Sequence, residues 1–372
     1  MNKWNKRLLG TLVASFFFLF SSAATWACTD FRVIAKDGTV MVARTLEFAM
    51  DLQSNLMTSP RGRTVNNIAL NGKSGMTWKT KYGYLFLDGL NSGLAMEGMN
   101  EQGLSFEALY LPDETQYQTV PAGQEANGIA YLNFGHWLLG NFKSVDEVKA
   151  ALPTIFVYAQ KVPQAKDFIF PLHYSVFDAT GKGVVIEFVA GRMVVYDNIG
   201  VMTNSPTYDW HVVNLRNYIN LSPTNPQPVI ANGMTFMATG QGAGMHGLPG
   251  DITPPSRFVK MSVMLKTIFT PANAEEALNV AQHIINNVDI PLGFVRSSTD
   301  INTASNEYTQ WTVFKDLTHK MFYYRTYQDT TLHMVDMSKL NFAENAPQLR
   351  MPIASRQSML DMTPQLQNGV MR

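Results

Sequence analysis

Residues 27–48, "ACTDFRVIAKDGTVMVARTLEF", set two apolar runs on either side of Lys36-Asp37-Gly38. A short turn whose glycine can take positive φ, flanked by such runs, reads as a β-hairpin over residues 29–35 and 39–46. With a three-residue loop and Gly38 left-handed, Ala35 pairs with Thr39, Asp30 faces Arg44, and Cys28 faces Leu46. Strand side chains alternate, so Arg44 then lies diagonally beside Cys28 on one face, where a cation favours thiolate and can orient a carboxylate. A two-residue loop would reverse that parity, and Arg44 and Glu47 can also be read as the end of an exposed strand.

Cys28 is the only cysteine in 372 residues, so the chain can form no internal disulfide. In front of it stand the basic residues Lys3, Lys6 and Arg7, a mostly apolar run over 8–20, and Thr25-Trp26-Ala27, which loosely fits a small-residue cleavage site. This pattern predicts a secretory signal over residues 1–27. Its removal would leave 372 − 27 = 345 residues, with Cys28 first. The apolar run falls short of the ~20 residues that span a bilayer, and no later stretch is long and apolar enough. A periplasmic or secreted protein, not inserted in the membrane after signal removal, is therefore expected.

Loss of three basic residues takes the balance from 29 Lys+Arg to 26, against 29 Asp+Glu, a net charge near −3. That gives no electrostatic case for nucleic acid. With 46% apolar, 11% aromatic and 16% charged residues the chain can bury a large core, and one domain is favoured over two.

Further strands are predicted over 83–87, 93–98, 103–111, 173–178, 183–189, 192–196, 308–316 and 320–326. Helices are predicted over 128–139, after the capping box Ser144-Val145-Asp146-Glu147, and over 256–269 and 271–288, the last with Thr270 as N-cap and Pro271 at the first helical position. Residues 343–372 lack periodicity and read as a loosely packed C-terminal tail after a domain over 28–342. Strands in both halves with helices grouped between them indicate a layered α+β fold.

A free thiol has a pKa near 8.5 and needs a base or a nearby cation to become a nucleophile. A cysteine at the N-terminus carries its own base, because an α-amino group with a pKa of about 8 can take the thiol proton directly or through one water. Two other readings stand beside this one. Single cysteines are commonly inert core residues. Bacterial lipoproteins also begin with cysteine, acylated after cleavage, although Thr25 stands where their signal normally has Leu, followed by the bulky Trp26.

"CTDFRV", "ARTLEF", "EGMNEQGLSFEALYLP", "MTNSPTYDWHVVNLRNY" and "GLPGDITPPSRFV", in this order, resemble the choloylglycine hydrolase family of penicillin V acylases and conjugated bile salt hydrolases. The resemblance runs from Cys28 to about Phe322, and the signal with Glu in "RTLE" is similar to the Gram-negative branch, some of whose members act on N-acyl homoserine lactones. It implies an N-terminal nucleophile hydrolase with four αββα layers, no cofactor, a small-molecule amide substrate and a homotetrameric assembly. Carried over, Cys28 is the nucleophile and its amine the base. Arg44 is the arginine beside the thiol; Glu47 stands where many members have an Asp that contacts the amine. Asn204 is the side-chain oxyanion donor, with a backbone N–H near Tyr110 or Leu111 as the other, and Arg257 closes the polar network. Tyr110 stands where bile salt hydrolases tend to have Asn, which favours the acylase side.

Read without that resemblance, Thr203-Asn204-Ser205-Pro206 is a turn, and Arg257 caps a carboxylate near a helix start. Gly242-Ala243-Gly244-Met245-His246-Gly247 matches a dinucleotide-binding spacing, but no buried strand leads into it. The histidines at 136, 173, 211, 246, 283, 319 and 333 show no metal-ligand spacing. Phe48, Met50, Met57, Phe86, Tyr110, Tyr208 and Trp210 are candidates for an apolar acyl pocket, Phe48 foremost because it follows Glu47; all of them can equally be core.

Overall fold

The computed structural model describes residues 27–68, 72–300, 304–367 and 369. The signal-peptide expectation for residues 1–26 lies outside the described residues. The opening hairpin forms as Cys28–Ile34 and Val40–Phe48, with Cys28 opposite Leu46 and Asp30 opposite Arg44. Gly38 has φ 90°, Ala35 N–H donates to Thr39 O at 2.9 Å, and the three-residue loop fixes the parity.

This hairpin is the centre of one antiparallel sheet, ordered Val201–Met202, Cys28–Ile34, Val40–Phe48, Asn306–Asp316, Met321–Thr326, His333–Asp336, with Val295–Arg296 also pairing with Asn306–Asp316. A second antiparallel sheet runs Arg192–Asp197, Gly183–Val189, Leu172–Phe177, Ser105–Tyr110, Leu94–Asn100, Tyr84–Gly89, Asn55–Ser59, Arg350–Pro352. The sheets stack face to face: Arg44 of the first reaches the carbonyls of Met96 and Ala108 in the second. Helices Pro254–Thr267 and Ala274–Ile285 cover the outer face of the first sheet, and Tyr131–Asn141 covers that of the second. The result is the expected four-layer αββα sandwich. All nine residues of Val40–Phe48 are buried, because this strand has a helix layer on one side and a sheet on the other.

Several elements differ from the sequence reading. The last helix of the pair is Ala274–Ile285, capped by Asn273, whose Oδ1 accepts from Glu276 N at 3.1 Å while Glu276 reaches back to Ala272 N. Thr270 and Pro271 stand before it; the Asn273–Glu276 reciprocal cap outcompetes the proline signal. Gly128–Ala130 is a strand parallel to Phe156–Tyr158, and the helix starts only at Tyr131. By contrast Ser144 caps Val145–Ala151 as its sequence indicates, accepting from Glu147 N at 3.2 Å.

The C-terminal region is not uniformly loose. Arg350–Pro352 pairs with Asn55–Ser59, Ile353 is buried, and Ser355 Oγ donates to Asp329 Oδ2 at 2.9 Å, so main-chain pairing holds a segment that has no apolar period to show. Beyond it Met359, Leu360 and Leu366 are exposed.

Candidate active site

Cys28 opens its strand at the sheet–sheet interface, 4% exposed. Alternation sends its side chain toward the second sheet together with Arg44, while Thr29 and Glu47 point to the helix layer. Arg44 Nη2 lies 3.9 Å from Cys28 Sγ. The guanidinium is fixed by Met96 O, Ala108 O and Glu97 Oε2, the last at 3.1 Å, and lies over the Trp311 ring at 5.2 Å. Burial pushes the Cys28 thiol up, and the Arg44 charge pulls it down; the Glu47 charge raises it further.

The backbone of Cys28 is gripped from the other side. Its N–H donates to Asn204 Oδ1 at 2.7 Å, and Arg257 Nη2 donates to the same oxygen at 2.7 Å. Arg257 Nη1 donates to Cys28 O and to Thr29 Oγ1, at 2.5 and 2.6 Å, and its Nε is held by Ile252 O at 2.8 Å. Arg257 sits in the first turn of Pro254–Thr267, which turns its fully buried side chain onto the hairpin instead of onto a carboxylate cap. One side-chain oxygen and one guanidinium thus define where the nitrogen of Cys28 sits.

The turn that carries Asn204 is pinned along its length. Thr203 O accepts from His173 Nε2 at 2.9 Å, Asn204 O is bonded to His211 Nε2 at 2.8 Å, and Ser205 Oγ donates to Pro112 O at 2.7 Å. Asn204 Nδ2 donates one hydrogen to Tyr110 O at 2.7 Å, which leaves its second for another acceptor. Leu111 N–H is committed to Pro171 O at 2.8 Å. Of the two backbone donors considered, Leu111 is thereby already used.

Glu47 Oε1 accepts from Thr309 Oγ1 at 2.7 Å, whereas Oε2 is buried with no hydrogen-bond partner. Burial raises its pKa to about 8 against the pull of Arg257. A buried carboxylate of this kind is held ionised when an ammonium meets it.

A narrow apolar cleft opens on the sulfur, lined by Phe48, Leu52, Leu90, Met96, Tyr110 and Phe170 among others. Phe48 and Tyr110 are the two residues of the sequence-based pocket list that line it. Phe86 is core, and Tyr208 packs against Phe258; Met50 and Trp210 are exposed at the surface. Tyr110 is pushed up to about 12, chiefly by burial, so its hydroxyl stays a donor at neutral pH. Thr29, Thr309, Glu97 and Phe170 are missed by the sequence reading. Thr309 is the cross-strand partner of Glu47, a relation visible only once the long-range strand pairing is known.

A family model described as linear amide C–N hydrolases, choloylglycine hydrolase family, matches residues 28–351. The bile salt hydrolase/transferase of Clostridium perfringens is 32% identical over 327 residues, covering 86% of this chain and 94% of its own. The penicillin V acylase of Pectobacterium atrosepticum is 28% identical over 367 residues, covering 92% and 90%. Among solved structures, a variant conjugated bile acid hydrolase from Clostridium perfringens superposes with a TM-score of 0.78 at 30% identity, over 90% of this chain and 100% of that one. The penicillin V acylase of Agrobacterium tumefaciens gives 0.71 at 25% identity, over 88% and 92%.

Proposed function

The chain belongs to the choloylglycine hydrolase family of linear amide C–N hydrolases, and from that premise we propose that it is an exported cysteine amidohydrolase whose nucleophile and base both belong to Cys28. The observation that carries this is the convergence on one residue. Arg44 faces the Cys28 sulfur, while Asn204 and Arg257 hold its nitrogen and carbonyl.

With the signal removed, the α-amine takes the thiol proton and the thiolate attacks the amide carbon. Negative charge then develops on the carbonyl oxygen, toward which Asn204 Nδ2 and the backbone N–H of Tyr110 donate. The ammonium, facing Glu47, returns its proton to the departing nitrogen as the C–N bond breaks, leaving a thioester. Water, activated by the amine, attacks that thioester, and the sulfur leaves and recovers a proton.

The substrate class is a linear amide of a bulky apolar acid, because the cleft beside the sulfur is walled by apolar side chains. Tyr110 in place of the Asn common in bile salt hydrolases supports penicillin V or an N-acyl homoserine lactone as substrate. A conjugated bile acid is the second reading, supported by the 32% identity to the Clostridium perfringens enzyme. Hydrolysis rates on these three substrate types rank the readings; no hydrolysis of any of them removes the proposal.

A homotetramer is proposed as the assembly. Its support is the hairpin Val229–Ala231/Met234–Phe236, every residue of which is exposed although it carries Val229, Ile230, Met234 and Phe236. A lone two-stranded hairpin is marginal in water and gains most from covering its apolar face. Light scattering measures the mass. Among the described residues no helix is long and apolar enough to cross a membrane.

A further inference from the structure

Behind Cys28, between the sheets, runs a chain of charges closed to solvent. Lys315 Nζ donates to both Glu97 Oε1 and Glu107 Oε1, and Glu97 Oε2 accepts from Arg44 Nη1 at 3.1 Å; all four side chains are fully buried. Asp30, the cross-strand partner of Arg44, adds a fifth, fully buried ionisable group. Buried ion networks are a poor source of stability, since the cost of desolvating them rivals the attraction they gain. The arrangement has a direction instead: it ends on the Cys28 sulfur.

Arg44 is already fixed by the Met96 and Ala108 carbonyls and by the Trp311 face. What Glu97 adds is chiefly charge. Along the line Arg44, Glu97, Lys315, Glu107 cationic side chains and carboxyls alternate, and burial lifts the Glu107 pKa well above the usual carboxylate range against the pull of Lys315. The charged groups acting on the sulfur are Arg44, on its own face of the adjoining strand, and Glu47 and Arg257 on the helix-layer side; Glu97 is faced by Arg44, Lys315, Glu107 and Asp30. In a poorly screened interior, a carboxylate on the far side of a guanidinium offsets part of the field that the guanidinium sends forward.

We propose that Glu97, held between Arg44 and Lys315, is a positioning residue that sets how much of the Arg44 charge reaches the Cys28 sulfur. The functional sense of this rests on Cys28 being the nucleophile. The Glu97 carboxyl lowers the pull of Arg44 on the sulfur, so its removal by substitution gives more thiolate at a given pH.

The test reads thiol acidity without turnover. Because Cys28 is the only cysteine, alkylation of the full folded protein by iodoacetamide across pH, followed by intact mass, reports this one sulfur. In Glu97→Gln the midpoint is expected to fall by about one pH unit. In the double variant Lys315→Met/Glu107→Gln, which leaves Glu97 and Arg44 in place, the midpoint does not fall. A merely structural role would move both variants alike. A midpoint unmoved or raised in Glu97→Gln overturns the proposal, and so does an equal fall in the double variant. Should Glu97→Gln fail to fold, Asp30→Asn takes its place, since it replaces a carboxyl on the same face as Arg44 by a side chain of the same size: a fall is expected, and an unmoved midpoint overturns the proposal. Hydrolysis persisting in Cys28→Ala would instead remove the nucleophile assignment and leave this linkage intact.

Discussion

Arg44 stands 3.9 Å from the Cys28 sulfur because its strand partner is Asp30, two residues along from Cys28 on the same face of the hairpin. The contact is therefore a product of turn length, and four acceptors divide the guanidinium among them. Lysine keeps the charge but cannot present two forked amines to Met96 O, Glu97, Ala108 O and the sulfur. Arg44→Lys is expected to lose about 1–3 kcal/mol of stability and to raise the Cys28 alkylation midpoint. Denaturant unfolding and a pH series of alkylation measure the two effects.

Asn204 serves three partners, accepting from Cys28 N and Arg257 and donating to Tyr110 O. Asn204→Ala should lower kcat by ~10²–10³ through loss of a preorganised donor, with KM changed far less. Steady-state kinetics on the best substrate of the panel checks this; an unchanged kcat would remove Asn204 from oxyanion stabilisation.

Asp30 gives a pH signature. Burial lifts its pKa from 3.8 to about 7, with Lys315 opposing. Between those values the folded chain holds a proton that the unfolded chain has released, so stability falls as pH rises through the window. Asp30→Asn removes this contribution to the slope. The variant should gain stability relative to the parent at pH 8 compared with pH 4, read as the difference in Tm at each pH.

Gly103 lies in the turn between Leu94–Asn100 and Ser105–Tyr110, with φ +83°, and a Cβ there would fall 2.2 Å from the Leu317 carbonyl oxygen. Backbone cannot step aside as a side chain can. Gly103→Ala should cost about 3 kcal/mol or more, a loss visible in denaturant unfolding. Gly38→Ala, at φ +90° with open space around it, pays the backbone strain alone and should cost less.

Local signals carried the sequence reading where chemistry and geometry lie close in the chain. The Lys36-Asp37-Gly38 turn sets the hairpin register, and Ser144 with Glu147 sets a helix start. The ordered motifs place Cys28, Asn204 and Arg257 in one family pattern, and the fold brings these residues together. Legibility ends where partners meet only through sheet stacking. Glu97, Glu107 and Lys315 look like ordinary solvent-facing strand charges, and their burial follows from two sheets closing over them. Arg350–Pro352 shows no pattern because a three-residue edge strand is held by main-chain bonds that any sequence can offer. The choice of Asn273 over Thr270 as cap turns on Glu276 reaching back, which two adjacent candidate caps and a proline obscure.

Everything catalytic in this account requires the Cys28 nitrogen to be an amine. Intact mass and N-terminal sequencing of the active, exported protein test that directly. A chain starting at Cys28, unmodified, whose hydrolysis disappears on Cys28→Ala, is the predicted result. An active protein that begins elsewhere, or whose first residue carries a lipid-sized addition, would contradict it.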